Sequence, residues 1–113
     1  MKPYQCTEYD WKLFKKIIQV YQERFAEKLR QKYIDILQCD KTNLEKFFLL
    51  EDSIYHDKKR KIFNIDMRRS QLVYNLIILL KEGSITLQDC NDFSEPLKNI
   101  LASFIQTIHI TNK

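Results

Sequence analysis

Nine consecutive residues, Leu72-Val73-Tyr74-Asn75-Leu76-Ile77-Ile78-Leu79-Leu80, form the one stretch of this chain in which apolar side chains would cover almost every direction around a helix, Asn75 being the exception. A helix that is apolar all round has to be enclosed by its neighbours. Spanning a bilayer takes about 20 apolar residues, so the enclosing material here must be protein. The stretch predicts a buried central helix, and the remainder of the chain has to supply its cover.

The remainder is poor in the residues that turn a chain sharply. Gly83 is the only glycine, and Pro3 and Pro96 are the only prolines. A sheet of this size would need several tight turns, which draw on glycine, proline or asparagine-glycine pairs. Leucine, lysine, glutamine and glutamate dominate instead, and most of these favour helix. With 113 residues, 44% of them hydrophobic, there is material for one domain with one core and too little for two of usual size. The expected fold is all-α: a single domain over residues 1–113, a compact bundle of four or five helices, with residues 1–6 and 111–113 frayed.

Thr7 opens a Thr-Glu-Tyr-Asp run suited to an N-cap, and no breaker follows until about Leu37. Across that span Trp11, Phe14, Ile18, Tyr21, Phe25, Leu29, Tyr33 and Ile36 recur every three or four residues, widened by Ile17, Val20 and Ile34, which predicts one long amphipathic helix. Thr42-Asn43-Leu44-Glu45 has the form of a capping box, so a second helix should start there with Leu44, Phe47, Phe48, Ile54 and Tyr55 as its apolar face and Glu51 as a polar interruption. The pattern lapses from about Asp57 to Ile65. A third helix is expected from about Asp66, capped by that aspartate, to Lys81, with Gly83 as a left-handed C-terminal residue and Ile85 as a buried contact after it. Thr86 predicts a short helix over Leu87–Asp92. Ser94 and Pro96 open a last one whose face is Leu97, Ile100, Leu101, Phe104, Ile105 and Ile108.

Several functional classes lose their support on the residues present. Cys6, Cys39 and Cys90 are odd in number and in no Cys-x-x-Cys pair, which argues against both a disulfide framework and zinc and predicts reduced thiols in a cytoplasmic protein. The opening residues never develop the apolar run of a signal peptide, and no stretch reaches the length of a membrane span. His56-Asp57 resembles a base and its orienter, but adjacent residues diverge on a helix and no nucleophile is placed beside them. Asp52 and His56 share a helix face, and two ligands hold a metal weakly. There is no phosphate loop and no His-Glu-x-x-His. The chain is read as a non-enzyme with no cofactor, no metal and no small-molecule substrate.

What remains is binding. The long first helix outreaches a domain this small, and aromatics are enriched at interfaces. The half of its stripe nearer Phe25 is therefore expected to close the monomer. The half nearer Trp11, with Phe14 and Tyr21, is expected to meet a protein partner, a second copy of the chain included. This gives a small regulatory, inhibitory or immunity-type protein; abundant Lys, Ile, Asn, Phe and Tyr is compatible with an AT-rich bacterial or phage genome.

The alternative is a nucleic-acid-associated accessory protein. Lys58, Lys59, Arg60, Lys61, Arg68 and Arg69 stand against only Asp57 and Asp66 between residues 56 and 69, with Tyr55 and Phe63 available to stack on bases. The bland counterpart is a solvated surface that keeps the protein soluble. The segment from Leu79 to Asp89, with its Leu-Leu-x-x-Gly-x-Ile-Thr pattern, is similar to the opening of helix-turn-helix modules and equally to helical hairpins used in assembly. A DNA-reading helix would then present Lys98, Asn99, Ser103, Gln106, Thr107 and His109, with Asp89, Asp92 and Glu95 just upstream. One lysine among three acids is a poor match for a phosphate backbone.

Overall fold

The computed structural model describes the backbone of residues 4–111 and the side chains of residues 4–106. Among the described residues every regular element is helical. Helix α1 runs Glu8–Gln38, α2 Asn43–Asp57, α3 Leu72–Glu82 and α4 Glu95–Thr111; single 3-10 turns occupy Lys61–Phe63, Arg69–Gln71 and Gln88–Cys90. No helix among the described residues is long and apolar enough to cross a membrane.

The helix ends follow from their caps. The Thr7 hydroxyl accepts from the Asp10 amide at 3.1 Å and starts α1. Thr42 does the same for α2, accepting from the Glu45 amide at 3.1 Å; its hydroxyl also donates to the Glu45 carboxylate at 2.9 Å, so that carboxylate engages the side chain of Thr42. Gly83 closes α3 at φ 84°, where a side chain would be strained. Its amide reaches the Leu80 carbonyl at 3.2 Å and the Ser84 amide reaches that of Leu79 at 3.1 Å, the paired bonds of a Schellman motif, with Ile85 buried beyond them.

Two boundaries depart from expectation. Helix α3 begins at Leu72 and not near Asp66, because the Asp66 carboxylate accepts from the Arg68 amide and guanidinium and offers no cap to the residues that follow. The short helix expected over Leu87–Asp92 is one 3-10 turn, Gln88–Cys90. There Thr86 and Asp89 cap each other, the Thr86 amide donating to the carboxylate at 2.8 Å and the Asp89 amide to the threonine hydroxyl at 3.3 Å, which tightens the segment into a single turn.

The core is continuous around α3. Leu72, Leu76, Ile77 and Leu79 lie in one cluster with Phe14, Ile18 and Tyr21 of α1, Ile62 of the first 3-10 turn, Ile85, Cys90 and Phe93 of the 83–94 segment, and Leu97 and Leu101 of α4. Tyr74 is the exposed exception along the rod. Asn75 is fully buried, donating to the Asp66 carbonyl at 2.8 Å while its Oδ1 meets no donor among the described residues. On α4, Phe104 lies exposed although its spacing places it with the apolar face. Ile108 lies outside the described side chains.

Polar ties fix α1 to this body at three levels. The buried Asp10 carboxylate accepts from the Ser94 amide at 2.9 Å, the Ser94 hydroxyl at 2.6 Å and the Tyr4 hydroxyl at 2.7 Å, joining the start of α1 to the start of α4. Tyr9 and Tyr21 donate to the carbonyls of Asp92 and Asp89. Arg24 grips the Asp89 carboxylate with two bonds, of 3.0 and 2.9 Å. Burial behind that contact pushes the Tyr21 hydroxyl up to about 12, while the Arg24 guanidinium holds Asp89 below the usual carboxylate range. Residues 4–6, expected to fray, run against the core through Tyr4 and Cys6, and Thr111, also expected to fray, is the last residue of α4; the fraying expected of residues 1–3 and 112–113 lies outside the described residues.

Beyond Arg24 the architecture changes. The second half of α1 and the whole of α2 form a helical hairpin that carries no buried apolar side chain. It lengthens the molecule to 59 × 34 × 20 Å with a radius of gyration of 17.3 Å, against about 13 Å for a compact chain of this length.

Candidate protein-binding surface

Helix α2 is the least covered part of the described chain. Its least exposed positions are Lys46, Leu50, Ser53 and Asp57, spaced at helical intervals along the side that meets α1. Only one of those four is apolar. The opposite side carries Leu44, Phe47, Phe48, Ile54 and Tyr55, between 37% and 66% exposed. The apolar stripe therefore points to solvent, and the mostly polar side faces the other arm of the hairpin.

A buried carboxylate anchors the end of the α1-facing side. Asp57, at the end of α2 and only 5% exposed, accepts from the Tyr33 hydroxyl at 2.6 Å and from the Lys32 ammonium at 2.9 Å, with Arg60 at 3.8 Å. Burial alone would raise its pKa, but these donors outweigh burial and hold the carboxylate below its usual value. The hydroxyl of Tyr33 is pushed up to about 12, by burial and by its bond to Asp57. The bonded charge lies on the same side of α2 as Lys46, Leu50 and Ser53, the side that meets α1, and the stripe lies on the other.

Below Asp57 the hairpin is seated on the body by aromatic and cationic contacts. Phe25 meets Phe63 edge-on at 5.8 Å, the Arg60 guanidinium lies over the Phe25 ring at 4.8 Å, and Gln22 donates to the Ile62 carbonyl at 2.9 Å. The Asn64 amide closes the turn by donating to the carbonyls of Lys58 and Arg60. Along the flank of α2, between its α1-facing side and its outer stripe, runs a shallow groove of about 390 Å³ lined by Phe47, Leu50, Glu51, Ile54, Tyr55 and Lys58. Apolar walls with one carboxylate and one ammonium suit a side-chain ridge from another helix better than a polar small molecule.

The aromatic residues expected to face a partner from α1 lie elsewhere. Phe14 is wholly buried and Tyr21 is 6% exposed, so both belong to the core. Trp11 is half-buried, stacked on Phe14 with ring centroids 6.0 Å apart and flanked by Lys15 at 5.6 Å and Arg69 at 5.8 Å. The division expected along α1 is thus reversed: the half nearer Trp11 closes the monomer, and the half beyond Phe25 projects. The reason is the rod at Leu72–Leu80, whose cover comes from Phe14, Ile18 and Tyr21.

The six cations of the central cluster are divided among local partners. Arg68 pairs with Asp66, Arg69 with Glu8 and Arg60 with Asp57. Lys59 lies over the Tyr55 ring at 3.9 Å and Lys61 over that of Tyr74 at 5.6 Å, while Lys58 lines the α2 groove. Phe63, one of the two expected stacking residues, meets Phe25 edge-on and remains partly exposed.

His56 and Asp52 form an exposed pair at 3.3 Å. No group of three or more metal-ligating side chains occurs among the described residues. On the last helix Lys98 is paired with Glu95 at 2.8 Å, Asn99, Ser103 and Gln106 are exposed, and Thr107 and His109 lie outside the described side chains. The chain matches no protein-family model, no curated protein and no solved structure.

The α2 stripe is visible as an apolar face in the sequence, whose spacing does not say whether it meets the body or solvent. What the spacing omits is the composition of the opposite side. Lys46, Ser53 and Asp57 are the signal that could have separated an outward stripe from an inward one.

Proposed function

We propose that this chain is a non-enzymatic protein of the regulatory, inhibitory or immunity type, and that it acts by laying the outer face of α2 against a protein surface. The observation that carries this reading is the stripe Leu44, Phe47, Phe48, Ile54 and Tyr55, exposed on a helix rigidly tied at Asp57. Large contiguous apolar patches are uncommon on soluble monomers and mark contact surfaces when rimmed by polar residues. Two aromatics from adjacent positions, Phe47 and Phe48, with ring centroids 5.3 Å apart, give the patch the anchor residues on which binding energy concentrates.

Capture from the native host with the tagged full chain tests the reading, in parallel with and without nuclease and at low and high salt. The expected result is a protein partner retained through nuclease and salt and weakened roughly thirtyfold by Phe47→Asp with Phe48→Asp, since aromatic anchors contribute about 2 kcal/mol or more. Retention that survives those substitutions overturns it. So does a complex lost to nuclease or salt and to neutralisation of Lys58, Lys59 and Lys61, which would transfer the function to nucleic acid.

A further inference from the structure

We infer that the occupant of the α2 stripe is a single amphipathic helix of another protein, laid antiparallel to α2. It sets a carboxylate against Lys58 and, seven residues further along its own chain, a cation against Glu51. The inference rests on the reading of α2 as a contact surface and names what meets it.

Shape points to a helix. Leu44, Glu51 and Lys58 follow one another at seven-residue intervals, with Phe47 and Phe48 in the first interval and Ile54 and Tyr55 in the second. Steps of three, four and seven make the seam along which two helices pack. The flanking groove lies between two rows of residues four apart, Phe47-Glu51-Tyr55 and Leu50-Ile54-Lys58. Grooves of that kind take the side-chain ridge of a second helix. At 1.5 Å per residue the seam from Leu44 to Lys58 is about 21 Å long, so one helix of about four turns covers it.

Charge sets the composition of that helix. Among the described residues neither Glu51 nor Lys58 has a hydrogen-bond or ion-pair partner. Their neighbours on α2 and just beyond it are engaged, Glu45 with Thr42, Asp52 with His56 and Lys59 with the Tyr55 ring. A surface that covers the seam strips water from Glu51 and Lys58. It must answer them with a cation and an anion or leave two desolvated charges unpaired.

The helix dipole sets the direction. An antiparallel helix meets Lys58 with its first turn, where a carboxylate is favoured, and the two macrodipoles oppose each other. A parallel helix would carry the same carboxylate in its last turn, where it is disfavoured. Past its cation the antiparallel helix continues for two turns, with apolar residues opposite Phe47, Phe48 and Leu44. A second copy of α2 cannot serve. Its own Glu51 and Lys58 have the right order, but its helix ends at Asp57, and the residues that would lie opposite Phe47, Phe48 and Leu44 are outside it.

Fluorescence anisotropy of a labelled synthetic peptide against the purified full chain is the test. The probe is a peptide of about four turns, held helical by a side-chain crosslink on its far face. It has a glutamate in its first turn, a lysine seven residues later, and leucines at the positions opposite Ile54, Tyr55, Phe47, Phe48 and Leu44. The control is the same sequence reversed, which has the same composition and fits only a parallel arrangement. The expected result is binding of the probe, with the reversed peptide roughly fivefold weaker. Glu51→Lys combined with Lys58→Glu weakens the probe roughly tenfold, and exchanging the glutamate and lysine of the peptide restores the affinity. Phe47→Asp with Phe48→Asp abolishes binding. Both variant chains keep the helical signal of the parent, because these side chains are exposed.

A probe that does not bind overturns the inference, as does a reversed peptide that binds equally well or an affinity indifferent to the charge exchange. If the probe fails while a partner captured from the host is still lost on Phe47→Asp with Phe48→Asp, the contact-surface reading survives and only its occupant is wrong.

Discussion

Helices α2 and α3 are both short and both rich in leucine, isoleucine and aromatic residues, yet α3 buries Leu72, Asn75, Leu76, Ile77 and Leu79, whereas α2 buries only Asp57. Their apolar content does not explain the difference. Helix α3 is met from several sides, by the first half of α1, the Ile62 turn, the 83–94 segment and α4. Among the described residues helix α2 is met from one side only, the side on which the buried Asp57 carboxylate accepts from Lys32 and Tyr33. The comparison teaches that burial follows the number of covering segments and not apolar content alone.

Truncation separates the two helices most sharply. Leu76→Ala removes a fully buried side chain from the centre of the core and should cost about 2–5 kcal/mol in denaturant unfolding. Phe48→Ala removes a larger side chain and should change the stability of the monomer by about 0.5 kcal/mol or less. Equal losses would erase the distinction between body and hairpin.

A smaller effect is expected from the polar tie that lets α1 close over the body. Asp10→Ala leaves the Ser94 amide, the Ser94 hydroxyl and the Tyr4 hydroxyl without their acceptor, at about 2–3 kcal/mol. Tyr4 fluorescence and global unfolding should report the change together. A neutral outcome would mean that the core alone holds α1 in place.

Acid should act more mildly, and on the hairpin through Asp57. Its carboxyl titrates below its unfolded value of about 3.9, so the native state binds fewer protons than the unfolded chain in that range. The stabilisation is complete above about pH 4 and is lost as pH falls through the lower folded-state value. Asp89, held down by Arg24, contributes with the same sign on the body side. In a pH titration of stability, Asp57→Asn should flatten the acid limb; an unchanged limb would show that the seam does not depend on the charge.

The sequence made the caps at Thr7, Thr42 and Gly83, the break after Asp57 and the rod at Leu72–Leu80 legible, because each depends on local chemistry. The start of α3 was misplaced, since a capping aspartate reads the same whether it serves a helix or, as Asp66 does, a neighbouring arginine. The half of α1 that closes the monomer lies at the other end from expectation for a different reason. Its stripe repeats evenly from Trp11 to Ile36, and periodicity carries no information about which turns a distant segment will cover. Asp57 looked like a solvated member of a charged run, although its neighbours in space, Lys32 and Tyr33, lie more than twenty residues earlier in the chain.

Amide hydrogen exchange of the dilute protein addresses the division of the molecule most directly. The amides of α3 should be strongly protected, while those of α2 exchange much faster. Protection of α2 that equals that of α3 would contradict the account.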